Sequence, residues 1–304
     1  MPDLNRELTF ASFLFPKATE GPGLLGQAEL AEQLGYELIA VPDHLDWPHY
    51  IDSWTLLSAI CARTTSIELL SCVSSLALRE PPATLAKAAW SLDVLVPGRF
   101  HLGLGTGVIP GIESIGGPLW SPRESLERIT EAIRVIKLMW SGEEATFDGA
   151  HYQLAAAKPL AAPSPSLDIW VGGIKPGMRR LIAQSADGWI PGMFSIDPEQ
   201  ITEETLHLDD ELHTAGRPLT AVRRVYNTIA KKIQPKSEGF LVGPPEQWVD
   251  ELTPMVLDLG FDVILYGDRE ATVEGLHTFA EEVVPELTKR VAAARRSVTA
   301  GASS

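Results

Sequence analysis

Residues 168–190 read Asp168-Ile169-Trp170-Val171-Gly172-Gly173-Ile174-Lys175-Pro176-Gly177-Met178-Arg179-Arg180-Leu181-Ile182-Ala183-Gln184-Ser185-Ala186-Asp187-Gly188-Trp189-Ile190. A short apolar run, Asp168 to Gly172, gives way to a helical stretch, Gly177 to Ala186, and then to a second short run, Gly188 to Ile190. Strand, helix and strand in this order form the unit from which parallel sheets are built. The alternation recurs along the chain. Further strand candidates are Leu8 to Phe15, Leu38 to Pro42, Ile67 to Ser74, Phe100 to Gly105, Val222 to Ala230 and Asp262 to Tyr266. Helical periodicity runs from Leu24 to Leu34, Trp54 to Arg63, Thr84 to Val94, Arg123 to Trp140, Pro198 to Ala215, Pro245 to Leu257 and Ala271 to Val291. Eight strands alternating with eight helices predict a closed (β/α)8 TIM barrel, in the α/β class, rather than an open sheet. Ser121-Pro122 and Asp197-Pro198 read as helix starts, and Gly35, Gly142, Gly216 and Gly260 as helix stops.

The chain has 304 residues, with 40 acidic side chains against 25 Lys plus Arg, a net charge of −15, and 45% hydrophobic residues. This length fits two domains or one barrel, since α/β barrels run to about 250 residues around a single core. The expected organisation is one barrel domain over 1–292 and a disordered tail over 293–304, where periodicity stops. With no run of Lys or Arg, attraction to nucleic-acid phosphates is not expected. Two cysteines, Cys61 and Cys72, make no disulfide framework, and the N-terminus has no signal-peptide pattern, so a cytoplasmic location is expected. No apolar run approaches the ~18 residues of a membrane span. Two long connections, Gly107 to Trp120 and Ser141 to Ser166, read as insertions around an active site.

Barrels of this kind take their chemistry from the C-terminal ends of the strands. There the chain carries Pro42-Asp43-His44, Ser71-Cys72-Val73-Ser74-Ser75, Gly103-Leu104-Gly105-Thr106-Gly107 and Gly172-Gly173. Small residues dominate, which leaves room for a flat ligand. His44 is the histidine placed at such an end beside a carboxylate, and imidazole exchanges protons near neutral pH. Asp43 would orient it or hydrogen-bond a ring; the structural alternative is that Asp43 caps a loop and His44 packs under it. The other histidines lack metal-ligand spacing, so no metal is expected. Gly172-Gly173 before Lys175-Pro176-Gly177 suggests backbone N–H groups and a helix dipole facing a phosphate, with Lys175, Arg179 and Arg180 adding positive charge; an ordinary strand-to-helix turn is the alternative. Gly103 to Gly107 lacks the spacing of a Rossmann fingerprint, and neither a P-loop nor a hydrolase elbow occurs at a suitable position.

The ordered set of motifs resembles the bacterial luciferase-like superfamily, and within it the branch that depends on the deazaflavin coenzyme F420. It is carried by Leu34-Gly35-Tyr36, Val41-Pro42-Asp43-His44, Arg79-Glu80-Pro81-Pro82, Asp93 to Pro97, Gly98-Arg99-Phe100-His101-Leu102-Gly103-Leu104-Gly105-Thr106-Gly107, Leu138-Met139-Trp140-Ser141-Gly142, Phe147-Asp148-Gly149-Ala150-His151-Tyr152, Ala186-Asp187-Gly188-Trp189 and Val283-Val284-Pro285. The resemblance covers nearly the whole chain and implies a barrel whose C-terminal mouth holds an isoalloxazine-like ring. It implies a non-prolyl cis peptide at Cys72-Val73 that buttresses the ring, contacts from Asp43, Ser75, Thr106 and Gly107, and a phosphate held at Gly172, Gly173, Gly177 and Met178. It makes His44 the active-site histidine, exchanging a proton while the coenzyme carries the hydride. The sugar-phosphate dehydrogenases of this branch carry a Glu where this chain has Val108 and a His where it has Tyr266; Glu113 is a candidate replacement, and Trp47 lies one position from a substrate-stacking Trp. The alternatives are a reduced-FMN monooxygenase that uses oxygen, and a flavin-binding barrel without catalysis. The expected partners are a small-molecule substrate and a second copy of the chain, with Trp54 and Leu57 or Trp90 and Leu92 as an apolar dimer face. The alternative for those residues is that they cover the barrel.

Overall fold

Alternate residues of each strand face opposite sides of the sheet, and here both sides are apolar. The computed structural model describes residues 3–107, 109–192, 196–267 and 272–301. Its barrel strands are β1 (Thr9–Phe13), β2 (Leu38–Val41), β3 (Glu68–Ser71), β4 (Phe100–Gly105), β5 (Ile169–Gly172), β6 (Gly188–Ile190), β7 (Arg223–Asn227) and β8 (Val263–Tyr266). All pair in parallel, each with its neighbour in sequence, and Thr9↔Val263 between β1 and β8 closes the ring. Ala11, Phe13, Leu38, Ala40, Leu70, Trp170, Ile190, Val225, Val263 and Leu265 fill the interior. The alternate residues, such as Ile39, Leu69, Ile264 and Tyr266, face the helical layer.

That layer consists of α1 (Gly23–Gln33), α2 (Ser53–Cys61), α3 (Pro82–Leu95), α4 (Pro122–Met139), α5 (Pro176–Ser185), α6 (Pro198–Thr214), α7 (Pro245–Leu257), α8 (Val273–Thr278) and α9 (Val284–Gly301). Ser121 and Asp197 cap α4 and α6 as their sequence suggested, accepting from the N–H groups of Glu124 (3.2 Å) and Glu199 (2.9 Å). The four helix-stop glycines all take left-handed φ values between 67° and 84°. Phe147-Asp148-Gly149 turns a hairpin between Ala145–Asp148 and Gln153–Ala157.

Three expectations are corrected. The third strand stops at Ser71 rather than Ser74, because the chain bulges at Cys72-Val73 before Ser74–Ser75 rejoins β4. The last helix is not continuous: a π-helical turn, Phe279–Val283, separates α8 from α9. Pro285 lacks an N–H and crowds the carbonyl four residues earlier, which accounts for the widening there. Helix α9 also continues to Gly301, past Val291, where helical periodicity placed its end. Ala292, Ala293 and Ala294 favour helix, and Arg295 donates to both Asp3 oxygens, at 2.5 and 2.9 Å.

The stripes considered for a dimer face are used inside the chain. Leu57 and Leu92 are buried, while the indole N–H groups of Trp54 and Trp90 donate to Ser74 Oγ (3.1 Å) and the Ala161 carbonyl (2.8 Å). Among the described residues, no helix is long and apolar enough to cross a membrane.

At the N-terminal end of the barrel, a polar hollow of about 1210 Å³ is lined by charges such as Arg6, Glu37, Glu68, Arg223 and Asp262. These charges pair within the fold: Arg6 and Arg223 lie 3.1 and 2.8 Å from Asp262. Beside the hollow, buried His101 lies 2.6 Å from Asp168 and 3.0 Å from Glu68. Burial opposes its charge, but the two carboxylates outweigh burial and raise the imidazole to about 9. A pKa raised in the folded state stabilises fully below the unfolded value of about 6.5, and that contribution is lost as pH climbs through the folded value. Urea unfolding is therefore expected to show stability falling between pH ~6.5 and ~9, by on the order of 3 kcal/mol. In His101→Gln this slope should flatten; an unchanged slope would remove His101 as its source.

Candidate active site

The C-terminal ends of the strands surround a cavity of about 960 Å³, part of it open to solvent. The barrel interior is filled below it by Phe13, Ile190 and Val225, so a ligand has room only at the mouth. Asp43, His44, Cys72, Val73, Ser75, Thr106, Gly107, Gly172 and Gly173 line this one cavity, as their strand-end positions suggested. Val108 lies outside the described residues.

The peptide between Cys72 and Val73 is cis, at the position the resemblance implied. The glycines around it serve a purpose different from the one read in the sequence. A Cβ on Gly105 would stand 2.7 Å from Val73 Cγ2, and one on Gly172 3.4 Å from it. A Cβ on Gly103 would meet the Ser71 carbonyl oxygen at 1.8 Å. Much of the room left by small residues is thus filled by the bulge, which stands in the cavity wall. Gly107 has φ +73°, and a side chain there would collide with Ser75 Oγ at 1.9 Å. Burial pushes the Cys72 thiol up to about 12, so it stays protonated near neutral pH.

Asp43 is not the group that orients His44. Its buried carboxylate accepts from Arg79 Nε and Nη2, both at 2.6 Å, from Ser53 Oγ at 2.7 Å and from the Ser75 N–H at 3.0 Å. Arg79 also donates to Asp52, the N-cap of α2, at 2.6 Å. Every lone-pair direction of Asp43 is thus directed into the fold, which corresponds to the structural alternative for this residue. Arg79 lay within a quoted motif without being assigned a role. An Arg beside strand ends rich in carboxylates was the available signal.

The carboxylate facing His44 is Asp46, with its Oδ1 3.5 Å from Nδ1. Trp47 stacks on the imidazole, centroids 4.6 Å apart and planes inclined by 22°, but does not itself line the cavity. Glu113 is exposed in the short 3-10 turn Ile112–Ile115 and does not line the cavity. Tyr266 does not reach the mouth either: it is 1% exposed and stacks on Phe279 at 4.6 Å in the helical layer. As the residue alternate to interior Leu265, it must point outward. The polar residue at the end of β7, Asn227, lines the cavity and donates to the Gly192 carbonyl at 3.1 Å. Asp46 and Asn227 were missed. For Asn227 the signal was a polar amide directly after Val225-Tyr226 at the end of a strand.

Gly177 and Met178 stand in the first turn of α5, after Pro176 and with no side-chain cap. Their N–H groups therefore lack helical partners and face outward from the helix start. Gly173 contributes differently, because its N–H donates to the Ile190 carbonyl at 3.0 Å. Arg179 is buried in an ion pair with Glu204 and is not free for a phosphate. Arg180, an exposed side chain that approaches Glu211 only at 3.8 Å, and Lys175, exposed at the N-cap, remain.

Removing Arg79 leaves a buried carboxylate uncompensated, which costs about 3–5 kcal/mol. Arg79→Met is expected to lose that much in urea unfolding, whereas Asp52→Asn, which keeps a capping residue at a more exposed site, should change stability by less than about 1 kcal/mol. Equal effects would contradict the primacy of the Asp43 contact.

Residues 10–230 match the profile of the luciferase-like monooxygenase family. The F420-dependent glucose-6-phosphate dehydrogenase of Microbacterium testaceum is 29% identical over 322 residues, covering 90% of this chain and 95% of that protein. The F420-dependent hydroxymycolic acid dehydrogenase of Mycobacterium tuberculosis is 34% identical over 172 residues, 55% of this chain and 48% of its own. Among solved structures, an F420-dependent secondary alcohol dehydrogenase in complex with an F420-acetone adduct has a TM-score of 0.80 at 17% identity, covering 93% of this chain and 99% of that one. A long-chain alkane monooxygenase has a TM-score of 0.75 at 16% identity, covering 94% and 92%. At these identities the structural likeness establishes the barrel. The profile match over most of its length makes this chain a member of the luciferase-like monooxygenase family.

Proposed function

We propose that this chain is an oxidoreductase that holds the deazaflavin coenzyme F420 in its barrel mouth and uses it on a small organic substrate. The observation that carries this reading is that His44, a proton-exchanging group, and the Val73 bulge border the same solvent-open cavity. The residues suit a flat ring. Val73, Phe13 and Ile190 offer apolar surface. The uncapped N–H groups of Gly177 and Met178 would take the coenzyme's phosphate. When bound, the coenzyme supplies or accepts a hydride at ring carbon C5. His44 exchanges the matching proton at the substrate oxygen, while Asp43 and Arg79 hold the loop that carries it. The F420-dependent names of curated relatives support this cofactor over FMN.

Among the described lining residues there is no Lys or Arg, while Asp43 and Asp46 are both present. Asp43 is paired with Arg79, so among these described residues a phosphate dianion on the substrate would face the Asp46 carboxylate and no lining Lys or Arg. The supported substrate class is a small alcohol or ketone without a phosphate, packed against Leu78 and Ile109.

Fluorescence titration with F420 and, separately, FMN tests the cofactor; at least tenfold tighter F420 binding is expected, and the reverse preference would shift the reading to an oxygen-using monooxygenase. His44→Ala should keep F420 binding and lose turnover by about 10²–10⁴-fold. Absence of turnover in the unaltered protein across alcohols and ketones would favour a non-catalytic flavin-binding barrel. Efficient oxidation of glucose 6-phosphate would overturn the substrate class.

A further inference from the structure

His44 Nδ1 and Asp46 Oδ1 are enclosed atoms with no hydrogen-bond partner, and they face each other at 3.5 Å. Both residues border the mouth cavity, their side chains only 15% and 14% exposed. A buried imidazole N–H or carboxylate oxygen left unpaired is costly, and these two are complementary. The neighbouring carboxylate cannot serve, because Asp43 is committed to Arg79, Ser53 and Ser75. Stacking against Trp47 at 4.6 Å, with Tyr50 edge-on at 6.3 Å, restricts rotation of the ring. Hydrogen bonds of reacting groups are often long before substrate binds.

We propose that Asp46 is the positioning residue of His44. It takes the Nδ1–H as a hydrogen bond, fixes the neutral ring in the Nδ1–H tautomer, and leaves the Nε2 lone pair for the mouth. The proton on the other nitrogen of a histidine is set by such a partner. In alcohol oxidation, which rests on the function proposed above, the substrate O–H bond would break with its proton passing to Nε2 and its electron pair forming the carbonyl, and the coenzyme, when bound, would take the hydride lost from the carbon. The Asp46 carboxylate then faces the imidazolium. Carbonyl reduction runs the same transfers in reverse.

The test is nitrogen NMR of the imidazole in the coenzyme-free protein, at a pH where the ring is neutral, with His44 assigned by comparison with His44→Gln. The Nδ1–H tautomer should dominate in the unaltered protein, and Asp46→Ala, which removes the acceptor, should abolish that preference. A dominant Nε2–H tautomer, or an identical tautomer ratio in both proteins, overturns the proposal. Asp46→Ala should also lower kcat by about 10–100-fold while KM and F420 affinity stay within about twofold. An unchanged kcat would likewise overturn it. Because the tautomer is read without coenzyme or substrate, failure of the wider functional reading leaves this measurement decisive.

Discussion

The mouth of this barrel is organised by one electrostatic demand. A carboxylate at Asp43 is held away from water, and a buried charge persists only when every polar direction is met. Meeting it recruits Ser53 from the start of α2, the Ser75 N–H after the bulge, and Arg79 from the loop leading to α3. Those contacts bind the start of α2 and the connection from β3 to α3 to the end of β2. His44 is the next residue along, so its place follows from how its neighbour is satisfied.

A second constraint is steric. The interior of an eight-stranded barrel is wide enough to be filled by side chains and no wider, so binding space exists only where the strands end. At that level Val73 leans across the barrel, which is possible because β4 and β5 present Gly105 and Gly172. Bulge and glycines form one unit. Charge is arranged differently at the two ends: the N-terminal end pairs Arg6 and Arg223 with Asp262 and His101 with Asp168 and Glu68, whereas at the C-terminal end Arg79 is held by Asp43 and Asp52 and the described cavity lining has no Lys or Arg.

Much of the barrel was legible because each of its strands is local. Period-two and helical patterns need only neighbours in sequence, so strands such as Gly188–Ile190 and helices such as Pro245–Leu257 fall where periodicity puts them. The errors arose where a local signal met a long-range one. Pro285 widened a helix that reads as continuous, and Arg295 found Asp3, almost a whole chain away, and carried α9 beyond its expected end. At the site, strand-end position found His44, Ser75 and Thr106. Substitution by analogy assigned Glu113 and Tyr266 to the substrate, but Glu113 is exposed off the cavity and Tyr266 is buried behind the strand.

The amino-acid order by itself determined the alternation of strand and helix, the closing of eight units into a ring, the family, and the set of small and titratable residues at the strand ends. These depend on spacing along the chain. Only the tertiary structure decided which carboxylate faces His44, that Asp43 belongs to Arg79, that the glycines admit Val73, and that Arg179 is paired rather than free. Asp43 and Asp46 flank His44 almost equally in sequence. Which one turns toward it depends on where Arg79 and Ser53 arrive in space, and no local pattern encodes that.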